Sequence, residues 1–193
     1  MSQQLIDLVR AEFGDAVLGS HANVGDATLL VVQEKLLDIM GFLCNDPRVT
    51  MDVLVDVTAV DFSEFPEGFR GSCSPVDANH PSGLNPQTLP RFEVVYHLLS
   101  MVHKHRLRVK VPLSQEDPAI PSLSSLWIAA NWGEREAYDM YGIEFIDHPD
   151  LRRILMYDEF EGYPLRKDYP LRGYQPLAAL PTLDDYANHE VYR

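Results

Sequence analysis

Hydrophobic and polar positions change period several times along the first 112 residues, and each change predicts an element. Gln3 to Phe13 repeats apolar residues at helical spacing and stops at Gly14, which predicts a short amphipathic helix. TLLVV (28–32) predicts a strand. From Glu34 to Cys44 a helical stripe runs through Leu36, Leu37, Met40 and Leu43, with Pro47 just past its end. VLVDVTAVDF (53–62) and RFEVVYHLLSM (91–101) are rich in β-branched residues, which suit a pleated, half-buried surface. A basic strand, 104–112, follows almost at once, so three neighbouring strands predict an antiparallel meander.

Ser122 to Tyr141 reads as one helix, with apolar positions at Leu123, Leu126, Trp127, Ala130, Ala137, Tyr138 and Tyr141. At about 100° per residue, Glu134 falls inside this stripe. Ile128, Ala129, Trp132 and Met140 widen it, so much of the helix is expected to be enclosed. A carboxylate enclosed there needs a cation or hydrogen-bond donors; alone it costs several kcal/mol or takes up a proton. The arginines beyond the helix are the expected partners: Arg152, Arg153, Arg166, or Lys167 beside them. Glu134 would then fix where the tail departs, and its replacement by Ala would loosen the tail more than a change at Asp139. Asp139 itself is expected to make an ordinary i,i+4 pair with Arg135 on the outer face. A redox-linked proton relay through Glu134 is the functional alternative. Gly142 sits where a left-handed cap would end the helix.

Two stretches lack periodicity. Ser63 to Pro90 is dense in Pro, Gly, Ser and Asn, the composition of a long hairpin loop or insertion. From Pro149 onward, prolines 149, 164, 170, 176 and 181 forbid long regular elements, while tyrosines 157, 163, 169, 174, 186 and 192 recur among them. Tyr and Arg are enriched at protein interfaces, so this segment reads as a strap lying on a partner. The expected architecture is α+β: a single domain, 1–148, with a small, mostly antiparallel sheet flanked by helices, followed by an extended tail, 149–193.

Length and charge narrow the function. The 193 residues suffice for one domain and an appendage. A formal charge of −13 argues against nonspecific nucleic-acid binding. KHRLRVK (104–110) is the exception, read as a solvated sheet face or a protein contact. No apolar run approaches the roughly 18 residues that would span a bilayer. Cys44 and Cys73 lie far apart, so a disulfide framework is not expected. The N-terminal stretch lacks the pattern of a signal or transit peptide, and a bacterial cytoplasmic setting fits.

Catalytic motifs are sparse. The chain has no CxxC pair to hold a cluster, no G-x-G-x-x-G after a strand, no P-loop and no G-x-S-x-G elbow. His97, His103 and His105 sit on adjacent strand candidates but lack a recognised ligand spacing. Asp158, Glu159 and Glu161 read as solvated acids rather than an acid–base pair.

ANWGEREAYDMYGIEFIDHPDLRRILMYDEFEGYPLRKDYPL (130–171) resembles the signature of the C subunit of respiratory complex I, the NADH:quinone oxidoreductase. Both halves match, E-R-E-x-x-D-x-x-G-I-x-F-x-x-H-P-D-L-R-R-I-L and P-L-R-K-D-Y-P. Gly133 departs from the bulkier residue usual there and is expected to weaken the helix by roughly 1 kcal/mol against alanine. The Ser63–Pro90 stretch is longer than in many relatives. The resemblance implies a cofactor-free, iron–sulfur-free core subunit of the peripheral arm, with FMN, iron–sulfur clusters, NADH and quinone held by partner subunits. Its expected neighbours are the large quinone-site subunit, which the tail wraps, and the terminal-cluster subunit. It would lie at the cytoplasmic face of the bacterial inner membrane, touching membrane only through the complex. By motif, Glu134, Arg135, Glu136, Asp139, Gly142, His148, Pro149, Arg152 and Arg153 would build the domain edge. Pro164, Leu165, Arg166, Lys167, Asp168, Tyr169 and Pro170 would build the strap. The equivalent subunit of an energy-converting hydrogenase, or of another complex-I-like oxidoreductase, is the alternative.

Overall fold

A computed structural model describes residues 2–66, 76–77, 82 and 89–174. Its elements are α1 (Ser2–Phe13), β1 (Val17–His21), β2 (Ala27–Val31), α2 (Leu36–Asn45), β3 (Val53–Asp61), β4 (Phe92–Ser100), β5 (His105–Leu113), β6 (Ala119–Pro121), α3 (Ala130–Tyr141) and β7 (Glu144–Ile146). The five main strands form one sheet in the order β1-β2-β5-β4-β3. Its β3-β4-β5 part is the expected antiparallel meander; β1–β2 is antiparallel too, and β2 meets β5 in parallel. The fold is therefore α+β with a mixed sheet.

Alternation decides what each sheet face does. Val57 and Ala59 of β3, Val94 and Tyr96 of β4, Leu107 and Val109 of β5, and Leu29 of β2 point to one face. There they join Leu5, Ile6 and Val9 of α1, Leu36, Ile39, Met40 and Leu43 of α2, and Ala130 and Ala137 of α3 in a single core. The opposite face is not simply solvated. Lys110 is buried and pairs with Glu93 at 2.7 Å, and Leu18, Leu30 and Leu89 form a small apolar cluster with Val76 packed against it. The basic strand is thus partly covered, which corrects the solvated-face reading for Lys110; Arg106 stays exposed. Most of 63–90, with Cys73, lies outside the described residues.

α3 is shorter than its apolar stripe. Leu123–Ile128 forms turns instead, with Leu126 N–H and Trp127 N–H both donating to the Leu123 carbonyl and the Trp127 indole donating to the Met51 carbonyl at 3.0 Å. Serines 122, 124 and 125 favour local side-chain bonds over helix. β6 and β7 pair in parallel on either side of α3. This small unit brings Ser122 beside Ile146, whose carbonyl accepts the Ser122 amide at 2.9 Å.

Candidate functional site

Two buried aspartates at one end of the domain hold the segment after β7. Asp139, on the last turns of α3, has no exposed surface. Its Oδ1 accepts from the Arg153 guanidinium at 2.7 Å, and its Oδ2 accepts three successive backbone amides, Ile154 at 3.0 Å, Leu155 at 2.7 Å and Met156 at 2.8 Å. Burial pushes this carboxyl up, but the amides and Arg153 outweigh burial and hold it below the usual aspartate range.

Asp61, the last residue of β3, is equally buried. It lies on the core-facing side of its strand, two positions beyond Ala59 and opposite Phe92 of β4. Arg91 grips it with Nε at 2.8 Å from Oδ1 and a terminal nitrogen at 2.5 Å from Oδ2, a bidentate fork. The Lys167 amide donates to Oδ2 at 2.9 Å and the Ser63 amide to Oδ1 at 3.0 Å. Burial raises this carboxyl as well, and Arg91 with the two amides overrides it, so Asp61 is held well down. The other arm of Arg91 reaches Asp168 at 3.0 Å. Arg91 is thereby pulled upward, by Asp61 first and Asp168 second.

Between the clamps the strap lies on the helix end. Gly142 caps α3 at φ 71°, ψ 34°, as the sequence predicts, with its amide donating to the Tyr138 carbonyl at 2.8 Å. Without a side chain there, the Tyr163 ring and Arg166 close over it. Arg166 donates to the Tyr141 carbonyl at 2.5 Å and stacks over Tyr163 with 4.5 Å to the ring centroid. The Leu165 amide donates to the Met140 carbonyl at 3.1 Å. Arg153 bonds the Gly162 carbonyl at 3.2 Å and lies over Phe160 and Tyr163.

Several assignments made from sequence change. Glu134 is fully buried but meets none of the arginines. It bonds Ser122 Oγ and the Leu123 amide, each at 2.6 Å. Arg135 does not pair with Asp139; it donates to the carbonyls of Arg152 and Arg153. Arg152 turns outward to Asp150, Glu136 is exposed, and His148 packs its ring against the Asn131 carbonyl at 3.1 Å. Asp139, expected on a solvated face, anchors the tail, because the outer face of α3 is covered by the strap rather than by water. Gly133 has a packing reason: an added Cβ would lie 3.0 Å from the Val57 Cβ, so glycine permits close approach to β3.

Pro149, Pro164, Tyr169 and Pro170 lie along the strap without helix or strand, as the prolines predict. Residues 149–174 rest on this chain's own domain mainly through polar contacts, and among the described residues none beyond Phe145 is one of the buried core residues, with Leu151 only partly buried against them. Tyrosines 186 and 192 lie outside the described residues.

Asp61 and Arg91 were missed by sequence reading. The signal was present: in VLVDVTAVDF, Asp61 continues the alternation of Val57 and Ala59, as Glu134 continues a helical stripe. His103 and His105 stack at 5.6 Å, and His103 bonds the Pro47 carbonyl. Among the described residues no group of three or more His, Cys, Asp or Glu could hold a metal ion. Asp158, Glu159 and Glu161 are exposed.

The fold and the clamps define a class first: an α+β domain with a mixed sheet that carries residues 149–174 as an arginine- and tyrosine-rich strap. The particular family follows from comparison. The chain belongs to the family of the respiratory-chain NADH dehydrogenase 30 Kd subunit, whose family model matches residues 29–175. It is 44% identical over 194 residues to the C subunit of a NADH-quinone oxidoreductase of Hyphomonas neptunium, covering 99% of this chain and 82% of that one. It is 42% identical to the corresponding C subunit of Citrifermentans bemidjiense, covering 86% and 87% respectively. The structure of a trypsin-resistant fragment (1–134) of Nqo5 superposes with a TM-score of 0.59 at 26% identity, over 77% of this chain and 98% of the fragment. A chain in the membrane-bound sulfane sulfur reductase, an archaeal respiratory membrane complex, shares the fold with a TM-score of 0.65 at 18% identity, over 95% of this chain and 96% of that one.

Proposed function

We propose that this chain is a non-catalytic core subunit of the proton-pumping NADH:quinone oxidoreductase, which docks and positions the subunit holding the quinone site and the subunit carrying the terminal iron–sulfur cluster. One observation carries the reading. The clamps fix the inner edge of the strap while Leu155, Tyr157, Leu165, Leu171 and Tyr174 face outward and are exposed. Large apolar and aromatic side chains on a backbone already ordered form a ready binding edge, because the entropy of ordering is spent before the partner arrives.

FMN, the clusters, NADH and quinone belong in this reading to partner subunits, and no electron passes through this chain. Its place is the cytoplasmic face of the bacterial inner membrane, with membrane contact through the complex; among the described residues no helix is long and apolar enough to cross a membrane. The relatives at 37–44% identity, all C subunits of NADH-quinone oxidoreductases by name, support this over the hydrogenase-type alternative. The shared fold in the sulfane sulfur reductase keeps other complex-I-like assemblies as the second reading.

The test is truncation at His148 in cells that make the whole complex. The shortened chain is expected to accumulate folded yet fail to co-purify with the quinone-site subunit. Wild-type recovery of that subunit on the shortened chain overturns the docking role. Companions of the full chain that include a nickel-ligating large subunit, rather than flavin- and NADH-binding ones, assign it to the second reading.

A further inference from the structure

Glu134 is the buried carboxylate that the strap leaves unused. Its Oε1 accepts the Leu123 amide and its Oε2 the Ser122 hydroxyl, both at 2.6 Å. Ser122 Oγ lies 2.8 Å from Ser124 Oγ and also accepts the Ser124 amide at 3.1 Å. Exposure rises along this line: Glu134 is 0% exposed, Ser122 is 7% exposed, Ser124 is half-buried and Ser125 is open to solvent.

Among the described residues no arginine or lysine pairs with this carboxyl. From β4, the Tyr96 hydroxyl is buried and has no hydrogen-bond partner among the described residues. From the turn after β7, His148 Nε2 stands 3.9 Å from Oε2. Its Nδ1 lies 3.0 Å from the Asp150 amide, and its Nε2 lies 3.1 Å from the Asn131 carbonyl. On α3 itself, Arg135 is bound to backbone carbonyls and Glu136 is exposed. From β3, Asp61 is taken by Arg91 and Asp56 is exposed; just before it, Asp52 accepts the Met101 amide. On β7 and its turn, Glu144 and Asp147 are exposed. Arg153 is held by Asp139.

We propose that Glu134 is a proton-exchange site, filled from solvent through a two-hydroxyl relay that runs from Ser124 to Ser122 to the carboxyl. With the carboxylate ionised, Ser122 donates to Oε2 and Ser124 donates to Ser122. On uptake, a solvent proton binds Ser124 Oγ as the Ser124 hydroxyl proton passes to Ser122 Oγ and the Ser122 proton passes to Oε2. Both hydroxyls end neutral, the two hydrogen bonds reverse direction, and the net change is one proton gained and one buried charge cancelled. The Leu123 amide bond to Oε1 persists in both forms. Burial pushes this carboxyl up to about 7 against the opposing bonds from Ser122 and Leu123, so its occupancy changes across the neutral range.

The experiment uses the full chain, its Glu134→Gln form and its Ser124→Ala form. Infrared difference spectra are expected to show a protonated-carboxyl stretch in the wild type that vanishes with a midpoint near 7 and is absent from E134Q. A pH jump followed on that band should be slowed roughly tenfold in S124A, as expected for losing about one hydrogen bond from the path, with the midpoint unmoved. A wild-type spectrum with Glu134 already ionised at pH 5.5 or so overturns the site. An unchanged uptake rate in S124A overturns the relay. Should E134Q fail to fold, the wild-type band alone decides the first question.

Discussion

A methyl group at position 142 would sit 2.5 Å from the Tyr163 ring and 2.7 Å from Arg166, on a backbone with φ 71°. Gly142→Ala therefore strains the cap and pushes the strap off the helix end. The left-handed conformation alone costs about 1–2 kcal/mol for a residue with a side chain, and thermal unfolding should show the midpoint lowered by roughly 2–8 °C. Gly133→Ala tests packing against propensity. Propensity favours alanine by roughly 1 kcal/mol, but the Cβ would meet the Val57 side chain at 3.0 Å and its carbonyl at 3.3 Å. Overpacking typically costs about 1–3 kcal/mol, which against the propensity gain leaves an expected net loss of up to about 2 kcal/mol, seen in denaturant titration. Periodicity located Glu134 correctly as enclosed but could not name its partner, because helical spacing says nothing of a turn some way upstream. It failed at Asp139 for a different reason. A carboxylate facing away from the core looks solvated unless something outside the periodic elements covers it, and the strap has no period to read.

Elements were legible where burial is one-sided. α1, α2 and β5 followed from their spacing, and β3 and β4 from their content of β-branched residues. β1 went unread, since Gly19 and Ser20 interrupt its alternation at a sheet edge, and the start of α3 was placed too early because the Leu123–Trp127 turns also bury apolar side chains. The strap clamps and the buried helix carboxylate respond to pH in opposite directions. Asp61 and Asp139 are held below their ordinary values, so their contribution is complete above the unfolded value of about 3.8 and is lost as pH falls through their lower folded values. Glu134 is raised, so its contribution is complete below about 4.5 and is lost as pH rises toward about 7. Chemical denaturation across pH should therefore show wild-type stability declining from about pH 4.5 to 7 relative to E134Q, while both collapse together in stronger acid. Breaking the Asp61–Arg91 pair by Arg91→Ala leaves a buried charge uncompensated and should cost about 3–5 kcal/mol by the same measurement.

At the scale of the whole molecule, the domain and its strap divide the labour. The core closes on the helix-facing side of the sheet with its fully buried residues, among those described, drawn from the domain, and the described strap is attached by carboxylates to backbone amides more than by hydrophobic burial. Polar attachment of this kind fixes shape while leaving the outward side chains free for another protein, which the proposed docking role requires. Sequence alone suggested a strap ordered by its partner; in the structure two aspartates hold its described part on its own domain. Amide hydrogen exchange at Ile154, Leu155 and Met156 tests this most directly, comparing the full chain with its Asp139→Ala and Glu134→Gln forms. The prediction is that Asp139→Ala speeds exchange at these amides by roughly tenfold to a hundredfold, while Glu134→Gln leaves them protected. Protection that survives Asp139→Ala, or that is lost equally in both forms, contradicts the account.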